Sequence, residues 1–447
     1  MTIVNELKEP QFTMEFNNSI ESNQDQVVHN KDLKVVSLFS GCGGMDLGFE
    51  GGFKIPTNLI NKTLSPDFID EEIDKNISRL KSTRFKTVFA NDILPDAKQA
   101  WIRHFIKRGD FECSHKFRSE SIVDLVKLHK VESNVFPNQV DVVTGGFPCQ
   151  DFSIAGKRKG FESNKNHNGN LTHLNEASEE TRGKLYMWMK RVIEITQPKM
   201  FIAENVKGLV NLTNVKEIIQ KDFSSINGNG YFVFDPQVLL AADFGVPQSR
   251  ERVIFIGVKK SALKPGILKK LQQKVLDDSL NPYPKPTHSN KSSENNLVPF
   301  SKLSDIFSLL LEPEYSDDLS QKFYSKAKYM GSHCQGQTEV KLNGIGPTIR
   351  SEHHGNIEFR RLSLEKGGKN QVEIENGLIE RRLTPRECGL IQTFPIDYEF
   401  VIPSFTKRKG SFTVSPSQAY KIIGNAVPPL LAYHISKRIE KIWDLYF

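Results

Sequence analysis

Short apolar runs alternate with longer amphipathic stretches over residues 33–258. Runs rich in β-branched and aromatic residues, without strict polar alternation, are typical of strands buried on both faces. Helical spacing between the runs, as in ILPDAKQAWIRHF, is typical of parallel strands joined by helices. Six runs are predicted to be strands: LKVVSLFS (33–40), FKTVFAND (85–92), VDVVTGG (140–146), KMFIAEN (199–205), YFVFDPQVL (231–239) and RVIFIGV (252–258). The pattern predicts an α/β fold with a doubly wound, mostly parallel sheet.

The alternation ends near residue 258, and the chain beyond it has a different texture. The stretch NPYPKPTHSNKSSENN (281–296) is rich in loop-forming residues, and no strand–helix rhythm continues to about 400. Two polar insertions, 54–84 and 163–179, are expected to be surface decoration. Four segments are predicted: a polar N-terminal extension (1–32), a sheet domain (33–258), a second, smaller domain (259–400) and a C-terminal segment (401–447) with a loop followed by an amphipathic helix.

Composition limits the class of protein. Hydrophobic residues make up 38% of the 447 residues and charged residues 25%, as in ordinary globular proteins. No apolar run approaches the ~20 residues of a membrane span, and the N-terminus lacks the features of a secretory signal. The five cysteines include no CxxC pair, which predicts free thiols in the cytoplasm and no structural metal site. The net charge of +7 is compatible with a polyanionic partner without requiring one.

Four distinctive clusters follow predicted strands, where open α/β sheets bind their ligands. They are the glycine loop FSGCGG (39–44), Asp92, the Pro-Cys pair ending at Cys149, and the acid Glu204. Taken singly, each has a structural reading: a tight turn, a helix cap, a small buried hydrophobe and a capping glutamate. The glycine loop does not match the dinucleotide pattern GxGxxG, because Asp46 stands at the third glycine position. Together, a candidate thiol nucleophile and a candidate proton donor beside a glycine loop predict an active site.

These clusters are ordered as in a known family. In sequence order, the chain resembles the DNA cytosine carbon-5 methyltransferases in six segments: SLFSGCGGMDLGFE, GGFPCQDFS, ENV, QSRERVIFIG, RRLTPRECGLIQTFP and YKIIGNAVPP. The resemblance spans residues 33–445. It implies a Rossmann-like catalytic and cofactor-binding domain, S-adenosyl-L-methionine as cofactor, and a target-recognition domain over 259–400. The C-terminal segment would then return to the catalytic domain.

The resemblance also implies roles for particular residues. Cys149, which follows Pro148, would add to carbon 6 of cytosine and so make carbon 5 nucleophilic. Glu204 would hold or donate a proton at ring nitrogen 3. Arg250 and Arg252, two apart and expected on one side of a strand, would serve the same active site. Because a stacked base cannot reach such a site, the target cytosine would be flipped out of the duplex.

Cofactor contacts are likewise implied by the resemblance. Many members of the family carry an aspartate for the adenine amino group, and the aligned position here is Ser121. Either Ser121 or Glu120 replaces that aspartate, or the contact is lost. The implied cofactor contacts are Phe39, Gly41, Cys42, Gly43, Gly44, Asp92, Ile93, Leu185, Asn425, Ala426 and Val427.

DNA contacts are expected from two regions. Lys157, Arg158 and Lys159, in the loop after the Pro-Cys pair, are of the type that grips phosphates. Within 259–400, the segment GPTIRSEHHGNIEFRRL (346–362) is favoured as the sequence reader. Thr348 and Arg350 are types that meet base edges, and Arg360, with its neighbour Arg361, would anchor the segment on the DNA backbone. The alternative is that this segment is a strand pair that packs the small domain.

Three other functions remain open on the sequence. A tRNA cytosine methyltransferase would share most motifs, but its Cys-Phe-Thr marker is absent. A nicotinamide-dependent oxidoreductase fits the sheet and not the glycine pattern. A non-catalytic DNA-binding relative would be expected to lose Cys149 or Glu204. The compact length favours a monomeric prokaryotic restriction–modification enzyme that acts on double-stranded DNA, away from membranes, and is functionally paired with a restriction endonuclease.

Overall fold

The apolar runs of the sequence form the central strands of one large sheet. The computed structural model describes residues 31–148, 185–211, 214–291, 296–331, 333–334, 336–351, 357–404 and 410–447. Their strands are β1 (Leu33–Leu38), β2 (Lys54–Pro56), β3 (Ile69–Glu72), β4 (Ile77–Leu80), β5 (Phe85–Asn91), β6 (Phe117–Arg118), β7 (Val142–Gly146), β8 (Met200–Val206), β9 (Tyr231–Val233), β10 (Gln237–Leu240), β11 (Glu251–Lys259), β12 (Phe359–Arg361), β13 (Arg381–Arg382), β14 (Ile402–Pro403) and β15 (Phe412–Val414).

Helices cover the sheet and form much of the second half. The helices of the described residues are α1 (Gly44–Glu50), α2 (Pro95–Lys107), α3 (Cys113–Lys116), α4 (Ile122–Glu132), α5 (Leu185–Thr196), α6 (Val215–Ser224), α7 (Ile226–Asn229), α8 (Ile267–Leu271), α9 (Leu303–Phe307), α10 (Leu319–Lys322), α11 (Gln371–Glu375), α12 (Pro385–Ile391), α13 (Pro416–Asn425) and α14 (Pro429–Tyr446). None of them is long and apolar enough to cross a membrane.

The large sheet has the predicted architecture. Its order is β10-β11-β8-β7-β1-β5-β6, with β9 also paired to β11. The pairs β8–β7, β7–β1, β1–β5 and β5–β6 are parallel, whereas β11 is antiparallel to β8, β9 and β10. The predicted doubly wound, mostly parallel fold is therefore confirmed. The run YFVFDPQVL differs from its prediction, because the Phe-Asp-Pro in its middle separates it into β9 and β10.

Alternate residues of each central strand enter different cores on the two faces of the sheet. In β8, Met200 and Ile202 belong to one core and Phe201 and Ala203 to the other, as the two-residue period of a strand requires. The first core includes side chains of α1, α2 and α14, and the second those of α4, α5 and α6. Burial on both faces explains why these strands read as continuous apolar runs.

The insertion 54–84 is not the surface decoration expected from its polar sequence. It forms an antiparallel sheet in the order β2-β4-β3 whose apolar side chains enter the core. Phe68 packs edge-on against Tyr433 of α14 at 5.0 Å between ring centroids, and Leu59 is fully buried. The Asn61 amide donates to the Thr287 carbonyl at 2.9 Å. The insertion therefore contacts both α14 and Thr287, near the start of the second half of the chain. The insertion 163–179 lies outside the described residues.

The C-terminal segment contains two helices where a loop and one helix were predicted. Ser415 caps α13 by accepting a hydrogen bond from the Gln418 backbone, and Pro416 occupies the first turn. The 18-residue helix α14 packs on α1. A β-carbon on Gly48 would lie 2.4 Å from the Ala432 β-carbon, so glycine permits this close approach. Residues 32–447 form one compact unit, and the four predicted segment boundaries remain predictions.

Candidate active site at the carboxyl edge of the sheet

A carboxylate–guanidinium pair lies at the end of β8. The Arg252 Nε of β11 contacts Glu204 Oε1 at 2.7 Å, and the two side chains are 11% and 10% exposed. In the antiparallel register Glu204 lies opposite Ile254, which is two residues along β11 from Arg252. At this degree of burial, a single well-placed cation can hold the carboxylate in one orientation. Glu204 is thus both oriented and partly accessible.

Glycine at 146 makes room for that carboxylate. Gly146 ends β7 and is paired in register with Glu204. A β-carbon at Gly146 would lie 2.8 Å from Glu204 Oε2, a distance that real β-carbons do not tolerate. The Glu204 carboxylate therefore lies against the end of β7. From there the chain continues to Pro148, which is half-buried, and then to Cys149. Cys149 itself lies outside the described residues, as do Lys157, Arg158 and Lys159.

Asn205, which the sequence analysis did not single out, ties the two strand ends together. Its amide nitrogen donates to the Phe147 carbonyl at 3.1 Å, and its amide oxygen accepts from the Val206 backbone at 2.8 Å. Asn205 is 1% exposed. It fixes the backbone two residues before Cys149. Its position directly after the candidate acid Glu204 is the sequence signal that could have identified Asn205 as a site residue.

The glycine loop adopts left-handed backbone conformations. The φ angles of Phe39, Gly41 and Gly43 are 54°, 56° and 83°, which favours glycine at the second and third positions. A β-carbon at Gly43 would lie 2.7 Å from Trp101, whereas one at Gly41 would meet nothing within 4 Å. Gly43 is therefore required by packing, and Gly41 faces open space at the edge of the sheet.

Asp92 joins the glycine loop to the next strand end. One carboxylate oxygen accepts from the Gly41 N–H at 2.9 Å and the other from the Leu94 N–H at 2.9 Å. Burial raises the pKa of Asp92 above its usual value, and these two hydrogen bonds oppose that change. The next residue, Ile93, is 46% exposed. An acid followed by an exposed apolar side chain suits a ligand with hydroxyl groups beside a flat ring.

Asp46 supports the loop from beneath. It is 1% exposed, accepts a hydrogen bond from Trp101 Nε1 at 2.6 Å, and is also bonded by the Ser37 hydroxyl. Burial raises the pKa of Asp46 to about 7, while the Ser37 and Trp101 hydrogen bonds lower it. Asp46, which stands where the dinucleotide pattern has its third glycine, therefore has a structural role.

The C-terminal motif meets the glycine loop. A β-carbon on Gly44 would lie 2.1 Å from the Val427 carbonyl oxygen, so the turn after α13 packs directly on the start of α1. Asn425 is exposed there, whereas Ala426 and Val427 are buried. Cys42 is buried and its thiol donates to the Ile422 carbonyl at 3.3 Å.

The remaining predicted cofactor residues border this edge less directly. Leu185 is buried at the first position of α5. Ser121 caps α4, and its hydroxyl accepts from the Val123 N–H at 3.3 Å. The Glu120 carboxylate pairs with Arg118. The predicted replacement of the usual adenine contact by Ser121 or Glu120 stays a prediction.

The contacts described for Arg250 differ from those of Arg252. Arg250 directly precedes β11, and its carbonyl accepts from the Ala241 N–H at 2.8 Å, which continues the pairing of β10 with β11. Its guanidinium is 1% exposed and donates to the carbonyls of Ile349, Gly424 and Ala426 at 2.8, 2.9 and 2.8 Å. The expectation that both arginines serve one active site from one side of a strand stays a prediction.

The predicted DNA-reading segment is largely committed to the protein. Thr348 donates its hydroxyl hydrogen to the Ser249 carbonyl at 2.7 Å, and Arg350 pairs with Glu358 at 3.1 Å. Arg360 is 7% exposed. It contacts Glu373 and lies 3.6 Å from Glu387. The expectation that Arg360 contacts the DNA backbone is therefore corrected. Arg360 is buried beside two carboxylates, so it belongs to the interior of the region around α11 and α12, called the small region below. For residues 346–350 this geometry favours the packing alternative.

The edge fits the implied cofactor in the chemistry of its groups. The loop at Gly41 leaves open space beside exposed Ile93, and the half-buried acid Asp92 is already oriented by backbone N–H groups. Asn425 is exposed on the turn that packs against Gly44. These groups could hold a nucleoside with a charged tail. Among the described residues, no cluster of His, Cys, Asp or Glu is arranged to hold a metal ion.

Comparisons with known proteins agree with this arrangement. The family described as C-5 cytosine-specific DNA methylase matches residues 33–441. Type II methyltransferase M.BsuRI of Bacillus subtilis is 31% identical over 423 residues, spanning 93% of this chain and 80% of that protein. Type II methyltransferase M.NgoPII of Neisseria gonorrhoeae is 30% identical over 427 residues, spanning 92% and 96%.

Solved structures support the fold. S. pombe Dnmt2 methyltransferase has a TM-score of 0.52 at 17% identity, with 91% of this chain and 98% of that chain covered. A Spodoptera frugiperda DNMT2 mutant has a TM-score of 0.51 at 17% identity, covering 92% and 100%.

Proposed function

Since the chain belongs to the C-5 cytosine-specific DNA methylase family, we propose that it methylates carbon 5 of one cytosine in a short specific sequence of duplex DNA. The observation that carries this proposal is the Glu204–Arg252 pair, which lies against Gly146 three residues before Cys149. The enzyme class is that of the Type II methyltransferases to which the chain is similar. We further propose that it protects host DNA from a partner restriction endonuclease.

The mechanism assigns one task to each side chain. The Cys149 thiolate adds to carbon 6 of the flipped cytosine, and Glu204 supplies a proton at nitrogen 3, so that no bare anion accumulates. Carbon 5 is then nucleophilic. S-adenosyl-L-methionine, held at the glycine loop and Asp92, supplies the methyl group when bound. A base then removes the carbon-5 proton, the carbon 5–carbon 6 double bond re-forms as the Cys149 thiolate leaves, and the nitrogen-3 proton returns to Glu204; S-adenosylhomocysteine would be the other product.

Arg252 orients the Glu204 side chain, which its Nε contacts at 2.7 Å. Asn205 holds the Phe147 carbonyl and thereby limits where the following thiol can lie. Such positioning matters because a displacement of about 1 Å can lower a rate by about 10²-fold.

The first test combines product mapping with loss of the nucleophile. Bisulfite sequencing of a plasmid that carries the gene would reveal a methylated cytosine in one recurrent sequence. Cys149→Ser should abolish methyl incorporation while DNA binding persists, since only the soft nucleophile is lost. Incorporation at the wild-type level in Cys149→Ser would refute the covalent mechanism.

A second test traps the covalent step. Carbon 5 of 5-fluorocytosine carries fluorine, which does not leave as a proton does, so the adduct with Cys149 should persist on a denaturing gel. An active enzyme that forms no adduct would contradict this pathway. Transfer of labelled methyl groups to tRNA and not to DNA would instead favour the tRNA methyltransferase alternative.

A further inference from the structure

The peptide group between Cys42 and Gly43 is fixed on both sides. The Gly43 N–H donates to the Ser40 carbonyl at 2.9 Å, and the Cys42 carbonyl accepts from the Tyr398 hydroxyl at 2.6 Å. The first bond closes a turn within the glycine loop, whereas the second comes from a residue 356 positions later in the chain. Tyr398 therefore holds, from outside the loop, the residue between the left-handed Gly41 and Gly43.

The position of the Tyr398 hydroxyl is set by the packing of its ring. Tyr398 is fully buried. Burial raises the pKa of the Tyr398 hydroxyl well above its usual value, so the hydroxyl keeps its hydrogen. The ring stacks on the His104 imidazole of α2, with 4.5 Å between centroids, and meets Phe394 edge-on at 5.0 Å. With the Phe400 ring at 4.5 Å on another side, the tyrosine is confined by three rings and its hydroxyl stays directed at Cys42.

The backbone of Tyr398 is fixed as well. The buried Arg386 of α12 donates to the Tyr398 carbonyl at 2.7 Å, and its Nε contacts the Asp318 carboxylate at 2.6 Å. The Tyr398 N–H donates to the Pro395 carbonyl at 3.0 Å and so closes a turn. Because both the ring and the backbone are held, the hydroxyl is a preorganised donor.

The residue that Tyr398 holds adjoins the open part of the glycine loop. A β-carbon at Gly41 would meet nothing within 4 Å, and the Gly41 N–H donates to Asp92 at 2.9 Å. Asp92 thus fixes the loop before Cys42, and Tyr398 fixes it after. A buried carbonyl that loses its donor is unfavourable. Without the hydroxyl, the Cys42 carbonyl would therefore turn, and the flanking glycines permit such a rotation.

We propose that Tyr398 is a positioning residue for the cofactor, since its hydroxyl keeps the glycine loop in the conformation that binds S-adenosyl-L-methionine. The proposal rests on the proposed function and adds a residue of the predicted target-recognition domain (259–400) to the support of the cofactor site. A protein whose binding-competent state is only partly populated binds its ligand more weakly in proportion. Loss of the hydroxyl should therefore weaken cofactor binding and leave the chemical step unchanged.

The test removes one oxygen atom and measures binding. In Tyr398→Phe the dissociation constant of S-adenosylhomocysteine, measured by calorimetry, should rise by about 5- to 20-fold, as expected for one lost buried hydrogen bond. The KM for S-adenosyl-L-methionine should rise by a similar factor, with kcat within about twofold of wild type. A tyrosine with only a structural role would lower the melting temperature and leave the dissociation constant unchanged.

The matched control is Tyr231→Phe. Tyr231 is 1% exposed, and its hydroxyl also donates to a carbonyl at 2.6 Å, that of Pro198. Pro198 precedes β8, so this bond lies at the opposite end of the strands from the glycine loop. In urea unfolding the control should lose about as much stability as Tyr398→Phe, while its dissociation constant for S-adenosylhomocysteine stays at the wild-type value.

If Tyr398→Phe does not fold, two variants of His104 decide. Neither ring nitrogen of this buried histidine has a hydrogen-bond partner among the residues that the structure describes. His104→Phe therefore keeps the flat surface against Tyr398 and should keep the binding of S-adenosylhomocysteine. His104→Ala removes that surface and should weaken the binding, as expected for Tyr398→Phe.

Each outcome discriminates. If Tyr398→Phe, or His104→Ala in its place, binds S-adenosylhomocysteine as tightly as an active wild-type enzyme, the inference is overturned. An equal loss of affinity in Tyr231→Phe overturns it too. So does a kcat that falls while the KM stays unchanged, since Tyr398 would then act on the chemical step. A wild-type protein that neither binds S-adenosylhomocysteine nor methylates DNA overturns the proposed function, and this inference with it.

Discussion

Charged side chains are used in opposite ways at the edge of the large sheet and inside the small region around α11 and α12. At the sheet edge, Glu204 and Arg252 form a single ion pair, and their side chains are 10% and 11% exposed. In the small region, Arg361 contacts both Glu312 and Glu373, and Arg381 contacts both Glu312 and Glu387.

The two regions differ in how many partners each charged side chain has within the protein. Arg361, Arg381 and Glu387 are at most 4% exposed, their partners Glu312 and Glu373 are 20% exposed, and the donors and acceptors of the five side chains are matched to one another. Buried networks of this kind are weak evidence for net stability, but the removal of one member leaves an uncompensated charge. Arg361 and Arg381 are therefore committed to ion pairs inside the region around α11 and α12.

The largest effect should come from the sheet edge. Glu204→Gln keeps the shape but removes the ionisable proton, and we expect the single-turnover rate to fall by about 10²–10⁴-fold. Glu251→Gln is the matched control, because Glu251 pairs with Lys207 at 2.7 Å on the exposed side and should change the rate by less than about threefold. Rapid-quench methyl transfer with saturating ligands measures both. A Glu204→Gln rate within threefold of wild type would make Glu204 structural.

The corresponding change in the small region should affect stability instead. Arg361→Met leaves Glu312 and Glu373 without their shared cation, and the free energy of unfolding should fall by about 3–5 kcal/mol. Arg79→Met breaks the exposed pair with Glu71 and should lower it by less than about 1 kcal/mol. Urea unfolding followed by fluorescence compares the two. Equal losses would show that burial is not what distinguishes the network.

A smaller effect should follow from shifting the Glu204 carboxylate without changing it. In Gly146→Ala the new β-carbon would lie 2.8 Å from Glu204 Oε2, so the carboxylate must move and the rate should fall by about 10²-fold. Gly145→Ala is the control, since its β-carbon would meet Met189 Sδ at 2.9 Å and a thioether adapts easily. The same quench assay applies, and identical rates for both variants would contradict the requirement for space at 146.

The smallest expected effect is a pH dependence of the free energy of unfolding, caused by Asp46 beneath the glycine loop. Burial raises the pKa of Asp46 from 3.8 to about 7, so the folded state keeps a proton that the unfolded state has released. The resulting stabilisation is complete below pH 3.8 and is lost as the pH rises through 7. Asp46→Asn should remove this component. Melting temperatures between pH 4 and 8 should therefore decline less in the variant, and parallel curves would exclude an Asp46 contribution.

The sequence predicted the central strands because parallel strands buried on both faces are continuous apolar runs. It missed the sheet of insertion 54–84, since β3 has the sequence IDEE, which lacks the apolar pattern of a strand although β3 pairs with the nearby β4. Helix α13 carries a Ser-Pro start with a capping glutamine, a signal that was present and not used.

The candidate site was predictable where motifs fix both residue type and strand position, as for Glu204 and the glycine loop. The carbonyl partners of Arg250, on Ile349, Gly424 and Ala426, could not be predicted because they are distant from it in the sequence. The burial of Arg360 was missed because its partners Glu373 and Glu387 are separate in the sequence and become neighbours only in the fold.

The packing of α14 on α1 has a consequence for biosynthesis. The Cys42 thiol, near the start of the sheet, bonds the carbonyl of Ile422, which is 380 residues later, and Gly44 packs on Val427. A ribosome must therefore translate almost the whole chain before the glycine loop obtains its support. Contacts this distant in sequence form slowly. A nascent protein released from the ribosome would acquire cofactor, and hence activity, only after its last helix has docked; stalled chains ending near residue 410 that still retained cofactor on a filter would show otherwise.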